Sequence, residues 1–193
     1  LRLLPDLAAR VLAGAGILEG IVRRRLTRPE AFFIGRGLDA AVAYEGALKM
    51  KEISYINAQA YAAGELKHGT LALIEPGIPV IALATQNSLF PKMQSNIQEV
   101  RARGGIIIAV VQEDLAEGEA GPEIATSKNG GKAGQNTGME IAAEEIIRIP
   151  RVPEILAPVL STIPLQLLAY YAAVARGCDV DHPRNLAKSV TVE

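Results

Sequence analysis

The strongest constraint on this chain is a rhythm: short apolar runs recur, and segments with helical spacing separate them. Ala31-Phe-Phe-Ile34, Pro79–Ala84, Gly105–Val111 and Glu145–Ile149 read as buried strands, and a short strand is expected near Gln59–Tyr61. Runs this continuous suit a sheet covered on both faces rather than one half in water. Strands alternating with helices predict an α/β fold: a doubly wound, mainly parallel sheet of about five strands with right-handed crossovers, a flavodoxin- or Rossmann-like three-layer sandwich. A length of 193 residues fits one such domain.

The helices carry their own signals. Pro5 and Asp6 suit a first helical turn, Leu7, Val11, Leu18 and Val22 mark its core face, and Arg23 to Arg25 complement a helix C-terminus. Leu89–Arg103 has helical spacing, with Asn87 or Ser88 as the expected N-cap. Ile155–Ala175 carries no charge and is long enough for a bilayer core of roughly 30 Å, yet it contains Pro158, Ser161, Thr162, Pro164 and Gln166. A buried helix across the sheet is the expectation, with no membrane partner. Gln112–Ala143 lacks a hydrophobic period and is rich in Gly, Glu, Lys and Asn, so it reads as a flexible surface insertion.

Composition narrows the function classes. With 20 basic and 21 acidic residues and few aromatics, no nucleic-acid partner is implied. The lone Cys178 offers neither an internal disulfide nor metal-ligand spacing, which favours a reducing, cytoplasmic compartment and no metal. No secretory signal pattern opens the chain, and a first residue Leu1 suggests a piece of something longer.

Several motifs bear on chemistry. Gly35-x-Gly37-x-x-Ala40 matches a relaxed dinucleotide fingerprint, but the acidic residue expected after the second strand is missing, so a tight strand-to-helix turn is the better reading. Gly130-Gly131-Lys132 lacks the Ser or Thr of a phosphate loop. Glu45, Lys49 and Glu52 share one helix face, bordered by Ala41 and Leu48 on one side and Val42 and Ile53 on the other. Apolar borders on both sides predict a partly desolvated stripe suited to acid–base work, although Lys49 and Glu52 could equally be an ordinary ion pair. His68, one of two histidines, lies at a loop or helix end; His182 has no second ligand nearby. Lys188 sits in a terminal segment where lysines are normally solvated.

At this point the motifs resemble a family. Glu45-Gly-Ala-Leu-Lys-Met-Lys-Glu-Ile-Ser-Tyr-Ile56, Ala62-Ala-Gly-Glu-Leu-Lys-His-Gly69, Asp179-Val-Asp181 and Pro183-Arg-Asn-Leu-Ala-Lys-Ser-Val-Thr-Val-Glu193 are similar to the glutamine–fructose-6-phosphate aminotransferases, also called glucosamine-6-phosphate synthases. The resembling part is the second of two sugar-isomerase (SIS) subdomains. The resemblance implies a single SIS domain over residues 1–193, with 112–143 an insertion and 179–193 an active-site tail. The glutaminase domain and the first SIS subdomain are then partners supplied by the rest of a longer enzyme.

The resemblance also implies an activity: fructose 6-phosphate and glutamine-derived ammonia become glucosamine 6-phosphate, with no cofactor, in a homodimer. It assigns Glu52 to proton transfer between C1 and C2, Lys188 to an imine with the ketose carbonyl, and Lys49 to proton traffic. His68 opens the sugar ring across a dimer interface, and Ala187 contacts substrate. Thr70 and His182 depart from commoner family residues, but neither is a proposed reacting group. The Ser-x-Ser-Gly-x-Thr phosphate loop of the first SIS subdomain is absent, and Thr85-Gln86-Asn87-Ser88 in the analogous place reads as a helix cap. Two other readings stay open: a non-catalytic SIS module that senses sugar phosphates or mediates dimerisation, and a nicotinamide-dependent enzyme resting on Gly35-x-Gly37.

Overall fold

The computed structural model describes residues 1–115 and 141–186. In chain order the elements are α1 (Leu4–Ala13), α2 (Ala15–Arg25), β1 (Glu30–Gly35), α3 (Leu38–Ser54), β2 (Asn57–Ala62), β3 (Pro79–Ala84), α4 (Phe90–Arg101), β4 (Ile106–Gln112), β5 (Glu145–Ile149) and α5 (Ala157–Ala175). Two 3-10 helices, Ala63–His68 and Thr70–Leu73, lead from β2 towards β3. Every strand pair is parallel, in the order β2-β1-β3-β4-β5. This is the expected doubly wound sheet in its flavodoxin-like order, reversing between β1 and β3.

Alternation along the strands divides the interior in two. Phe33, Ile81, Ile108 and Ile147 face α3, α5, α1 and α2. Phe32, Ile34, Val80 and Ile107 face α4 and the 3-10 helices. Each fully buried Phe, Leu or Ile side chain contributes about 1.5–3 kcal/mol, so both faces of the sheet hold the fold together. Gly46 lets α5 approach α3 closely, because a Cβ there would lie 2.6 Å from Leu165 Cδ1.

The long apolar segment serves this core. Glu154–Ala175 has the length and hydropathy to cross a membrane. In the fold Leu160, Leu165, Leu168, Ala169 and Ala172 are buried against the sheet side, while Val159, Tyr170 and Val174 are exposed. The basic run at the end of α2 is likewise structural. Arg24 and Arg25 both donate to the buried Glu145 carboxylate at the start of β5, at 3.0–3.2 Å. Burial alone would raise the Glu145 pKa, but these two guanidinium groups hold it below the ordinary carboxylate range.

Three sequence expectations are corrected. The first helix is two, α1 and α2, broken at Gly14, where glycine's poor helix propensity lets the axis turn. The α4 N-cap is Leu89, without a side-chain cap; the Ser88 N–H and hydroxyl instead donate to the Glu154 carboxylate at 3.0 and 3.1 Å. A group from another element has replaced the local cap, which spacing along one segment cannot reveal. The expected insertion also begins too early and ends too late: Gln112 closes β4, Ile141 is buried and Ala143 packs on the core. Residues 116–140 of that insertion lie outside the described residues.

Candidate functional site at the end of helix α3

Open parallel sheets bind ligands beyond the carboxyl ends of their strands, where the strand order reverses. Here that point lies between β1 and β3, and the protein's own polar groups hydrogen-bond across it. Asp39, buried in the first turn of α3, accepts from Thr85 N–H at 2.8 Å and from the Thr85 hydroxyl at 2.5 Å. Gln86 Nε2 donates to the Arg36 carbonyl at 2.6 Å, and Gln112 Nε2 to the Thr85 carbonyl, also at 2.6 Å. Burial pushes the Asp39 carboxyl above its usual pKa even though Thr85 and Gln86 donate to it. Thr85 is therefore a partner for Asp39 across the crevice, not part of the helix cap expected for Thr85–Ser88. The Gly35 turn is tight, as expected: a Cβ at Gly35 would collide with the Asp39 backbone.

The charged stripe stands at the opposite end of the same helix. Because α3 connects two parallel strands, its C-terminal turns lie beside the amino ends of β1 and β2. Lys49 Nζ donates to Glu52 Oε2 at 2.8 Å and lies 3.7 Å from Glu45 Oε1. The side chains of Lys49 and Glu52 are 33% and 27% exposed, so the pair is neither dry nor freely solvated. Its hydrogen bond to Glu52 raises the Lys49 pKa against the opposing effect of burial, so Lys49 is a lasting cation at neutral pH. The apolar border is one-sided: Val42 is buried and Ile53 packs on the core, whereas Ala41 and Leu48 are exposed. Desolvation of the stripe from the Leu48 side thus has no source among the described residues, because that helix face points outward.

Helix α3 ends at Tyr55, a non-glycine residue in the left-handed region (φ 58°), a conformation costing roughly 1–2 kcal/mol. The segment after α5 returns to this point. Cys178 Sγ lies 3.9 Å from the Ser54 carbonyl, the Arg184 N–H donates to Tyr55 Oη at 2.9 Å, and the Arg184 guanidinium stacks 4.1 Å over the Tyr55 ring. Asp179 shapes the turn between these ties by accepting from the N–H groups of Asp181 and His182 at 3.0 and 3.1 Å. Those backbone donors, His182 foremost, hold the Asp179 pKa below its usual value. His182 Nδ1 lies 3.2 Å from the same carboxylate. Ala187 and Lys188 lie outside the described residues.

His68 is not brought to this place. It ends the 3-10 helix that packs with the α4 face of the sheet through Ala63 and Leu66, whereas α3 packs on the other face. Its Nδ1 lies 2.6 Å from Glu65 Oε2, and its side chain is 72% exposed. Within one chain the sheet separates His68 from Glu52. Sequence reading missed Tyr55, Arg184 and Asp39. The first two carry no periodic signal and the third reads only as an acidic first-turn residue; their partners are up to 129 positions away.

Residues 27–118 match the SIS domain family. A glutamine–fructose-6-phosphate aminotransferase of Caldanaerobacter subterraneus subsp. tengcongensis is 49% identical over 193 residues, covering 100% of this chain and 28% of that protein. A solved structure, the C-terminal domain of glucosamine-fructose-6-phosphate aminotransferase from Francisella tularensis, superposes with a TM-score of 0.77 at 36% identity, over 92% of this chain and 44% of that one. Glucosamine-6-phosphate deaminase from Thermotoga maritima shares the fold, with a TM-score of 0.63 at 22% identity over 98% of this chain and 47% of that one. A five-stranded parallel sheet in the order 2-1-3-4-5 with these matches places the chain in the SIS domain family. Within it the chain belongs to the glutamine–fructose-6-phosphate aminotransferases, and it spans about 28% of the length of the curated relatives it matches.

Proposed function

We propose that this chain supplies the isomerising chemistry of a cytoplasmic glutamine–fructose-6-phosphate aminotransferase, acting at the C-terminal end of α3. The supporting observation is the return of the 178–184 segment to Ser54 and Tyr55, directly after the turn that carries Lys49 and Glu52. Lys188 follows Arg184 by four positions, a reach of at most about 14 Å, which spans the final turns of α3.

In this reading the neutral amine of Lys188 attacks C2 of open-chain fructose 6-phosphate and water leaves as the imine forms. Ammonia from the glutaminase partner then replaces the lysine. Glu52 takes a proton from C1 of the protonated imine, giving the neutral enolamine, and returns it to C2 while the C1 hydroxyl gives up its proton to water, leaving the aldehyde at C1 of glucosamine 6-phosphate. Glu52 must be held in place to act as a base, and the Lys49 ammonium, donating to its carboxylate at 2.8 Å, does this. Lys49 acts here as a fixed cation more than as a base, because its raised pKa keeps it protonated. An imine-forming lysine, by contrast, needs a setting that favours the neutral amine.

Two parts of the site come from outside one described chain. With the polar groups between β1 and β3 bonded to one another, the phosphate is left to the first SIS subdomain. His68, on the far face of the sheet, opens the ring of a substrate bound to a second copy in a homodimer. The test is made in the full-length protein: Lys188→Ala is expected to abolish glucosamine 6-phosphate formation while glutamine hydrolysis continues. Retained synthesis would remove the imine from the scheme. The isolated chain should turn over fructose 6-phosphate negligibly; efficient conversion by it alone would show that no outside phosphate site is needed. The non-catalytic alternative, a sugar-phosphate-sensing or dimerisation module, requires no loss of synthesis on replacing Lys188; the internally bonded crevice favours only its dimerisation form.

A further inference from the structure

The residue that ends α3 is a poor choice for the conformation it adopts. Left-handed C-terminal positions favour glycine or asparagine, whose small or locally bonding side chains tolerate positive φ. Tyr55 stands there instead (φ 58°), and both ends of its side chain are used. The ring carries the Arg184 guanidinium 4.1 Å from its centre, and the phenol oxygen accepts from the Arg184 N–H at 2.9 Å. Cys178 at the Ser54 carbonyl gives a second tie, and the Asp179 turn holds the stretch between them in one shape. A helix end alone would need none of these contacts.

We infer that Tyr55 is a positioning residue: with Arg184 it sets where the chain beyond residue 184 starts relative to the Glu52 carboxylate. The inference rests on the function proposed above and deepens it by naming what aligns the imine-forming lysine with the base. Tyr55 follows Glu52 by three residues on the same rigid helix end, so fixing Arg184 to Tyr55 references the later residues to Glu52 itself. Reactions of groups held in register are steep in geometry: a displacement of about 1 Å can cost on the order of 10²-fold in rate. A tail tied at two points to the base-bearing helix explores far less space than one free to swing from α5. The contact also combines a charge with an aromatic face and a main-chain hydrogen bond, so it fixes direction as well as distance.

The experiment uses the full-length protein with fructose 6-phosphate, borohydride trapping and mass mapping of the adduct, alongside kcat, KM and thermal unfolding. Three variants are compared: Tyr55→Asn, which suits the left-handed backbone but loses ring and hydroxyl; Tyr55→Phe, which loses only the acceptor; and Arg184→Ala, at an exposed position where folding is not at stake. The expected result is an adduct on Lys188 in the wild type, with trapping rate and kcat lowered about tenfold or more in Tyr55→Asn and Arg184→Ala. Tyr55→Phe should fall between, KM should change less than threefold, and the melting temperature of Arg184→Ala should not move. Wild-type trapping together with unchanged trapping and kcat in Arg184→Ala overturns the positioning role and leaves the proposed function standing. Loss of activity only in proportion to unfolded protein overturns it equally. Absence of any Lys188 adduct in the wild type overturns the proposed function, and the positioning role with it.

Discussion

The two ends of helix α3 are built in opposite ways. At its N-terminus, in the crevice where this fold ordinarily receives ligands, Asp39, Thr85, Gln86 and Gln112 satisfy one another and are all buried. At its C-terminus, where such sheets seldom bind anything, Lys49 and Glu52 are partly exposed and a returning segment is tied to Tyr55. A completed polar network rigidifies, because breaking any bond in it leaves a buried group unpaired. A partly exposed pair keeps hydrogen-bonding capacity for a substrate. The contrast teaches that the architecture locates a crevice, while side chains decide whether it is a site or a strut.

The comparison breaks most decisively at Glu52. Glu52→Gln in the full-length protein is expected to lower sugar conversion by at least about 10²–10⁴-fold, the usual worth of a positioned base, with glutamine hydrolysis intact. Conversion within tenfold of wild type would show the exposed end to be no more catalytic than the closed one. Asp39→Ala should do the reverse. Leaving the Thr85 N–H and hydroxyl without their acceptor costs about 1–3 kcal/mol of stability, read as a lower midpoint in denaturant, while kcat of the remaining folded enzyme stays within about threefold. A large fall in kcat at unchanged stability would mean that the closed crevice takes part in the reaction.

Two smaller effects sharpen the same distinction through pH. The Glu145 carboxyl is held below its usual pKa, so its stabilisation is present above the unfolded carboxylate pKa and is lost as pH falls through the folded value. Wild type should exceed Glu145→Gln by about 1–2 kcal/mol near neutrality, and the gap should close on acidification. A gap independent of pH would refute the role of charge. Lys49 has the opposite sign: its pKa is raised, so its contribution is complete below the unfolded lysine value and is lost as pH rises through the folded one. At one-third exposure Lys49→Gln should cost no more than about 1 kcal/mol near neutrality, with the difference from wild type vanishing only in alkali. A cost well above that would mark the stripe as a structural core element.

Much of the architecture was legible because it is written in short-range periodicity. The apolar strands and the uncharged α5 signal burial on both faces within windows of five to twenty residues, and their element type followed. The family motifs around Glu45–Ile56 and Ala62–Gly69 likewise exposed the candidate stripe and His68. What failed was local reasoning about polar groups. Ser88 was expected to cap its own helix, but Glu154, 66 positions later, takes its donors. Ala41 and Leu48 were expected to shelter the stripe, but they face outward. Neither outcome follows from the residues alone, since apolar side chains near a charge look the same in sequence whether they are covered or bare.

The parallel sheet and the helices that cover it follow from local pattern, because hydrophobic burial acts on patterns a few residues long and strongly favours one register. Long-range packing fixes the rest: Asp39 bonds across one end of α3, Arg184 seats on Tyr55 at the other, and α3 and the His68 segment pack on opposite faces of the sheet. Those outcomes depend on groups tens to more than a hundred residues apart, whose directional hydrogen bonds form only once the packed elements have set their distance and angle.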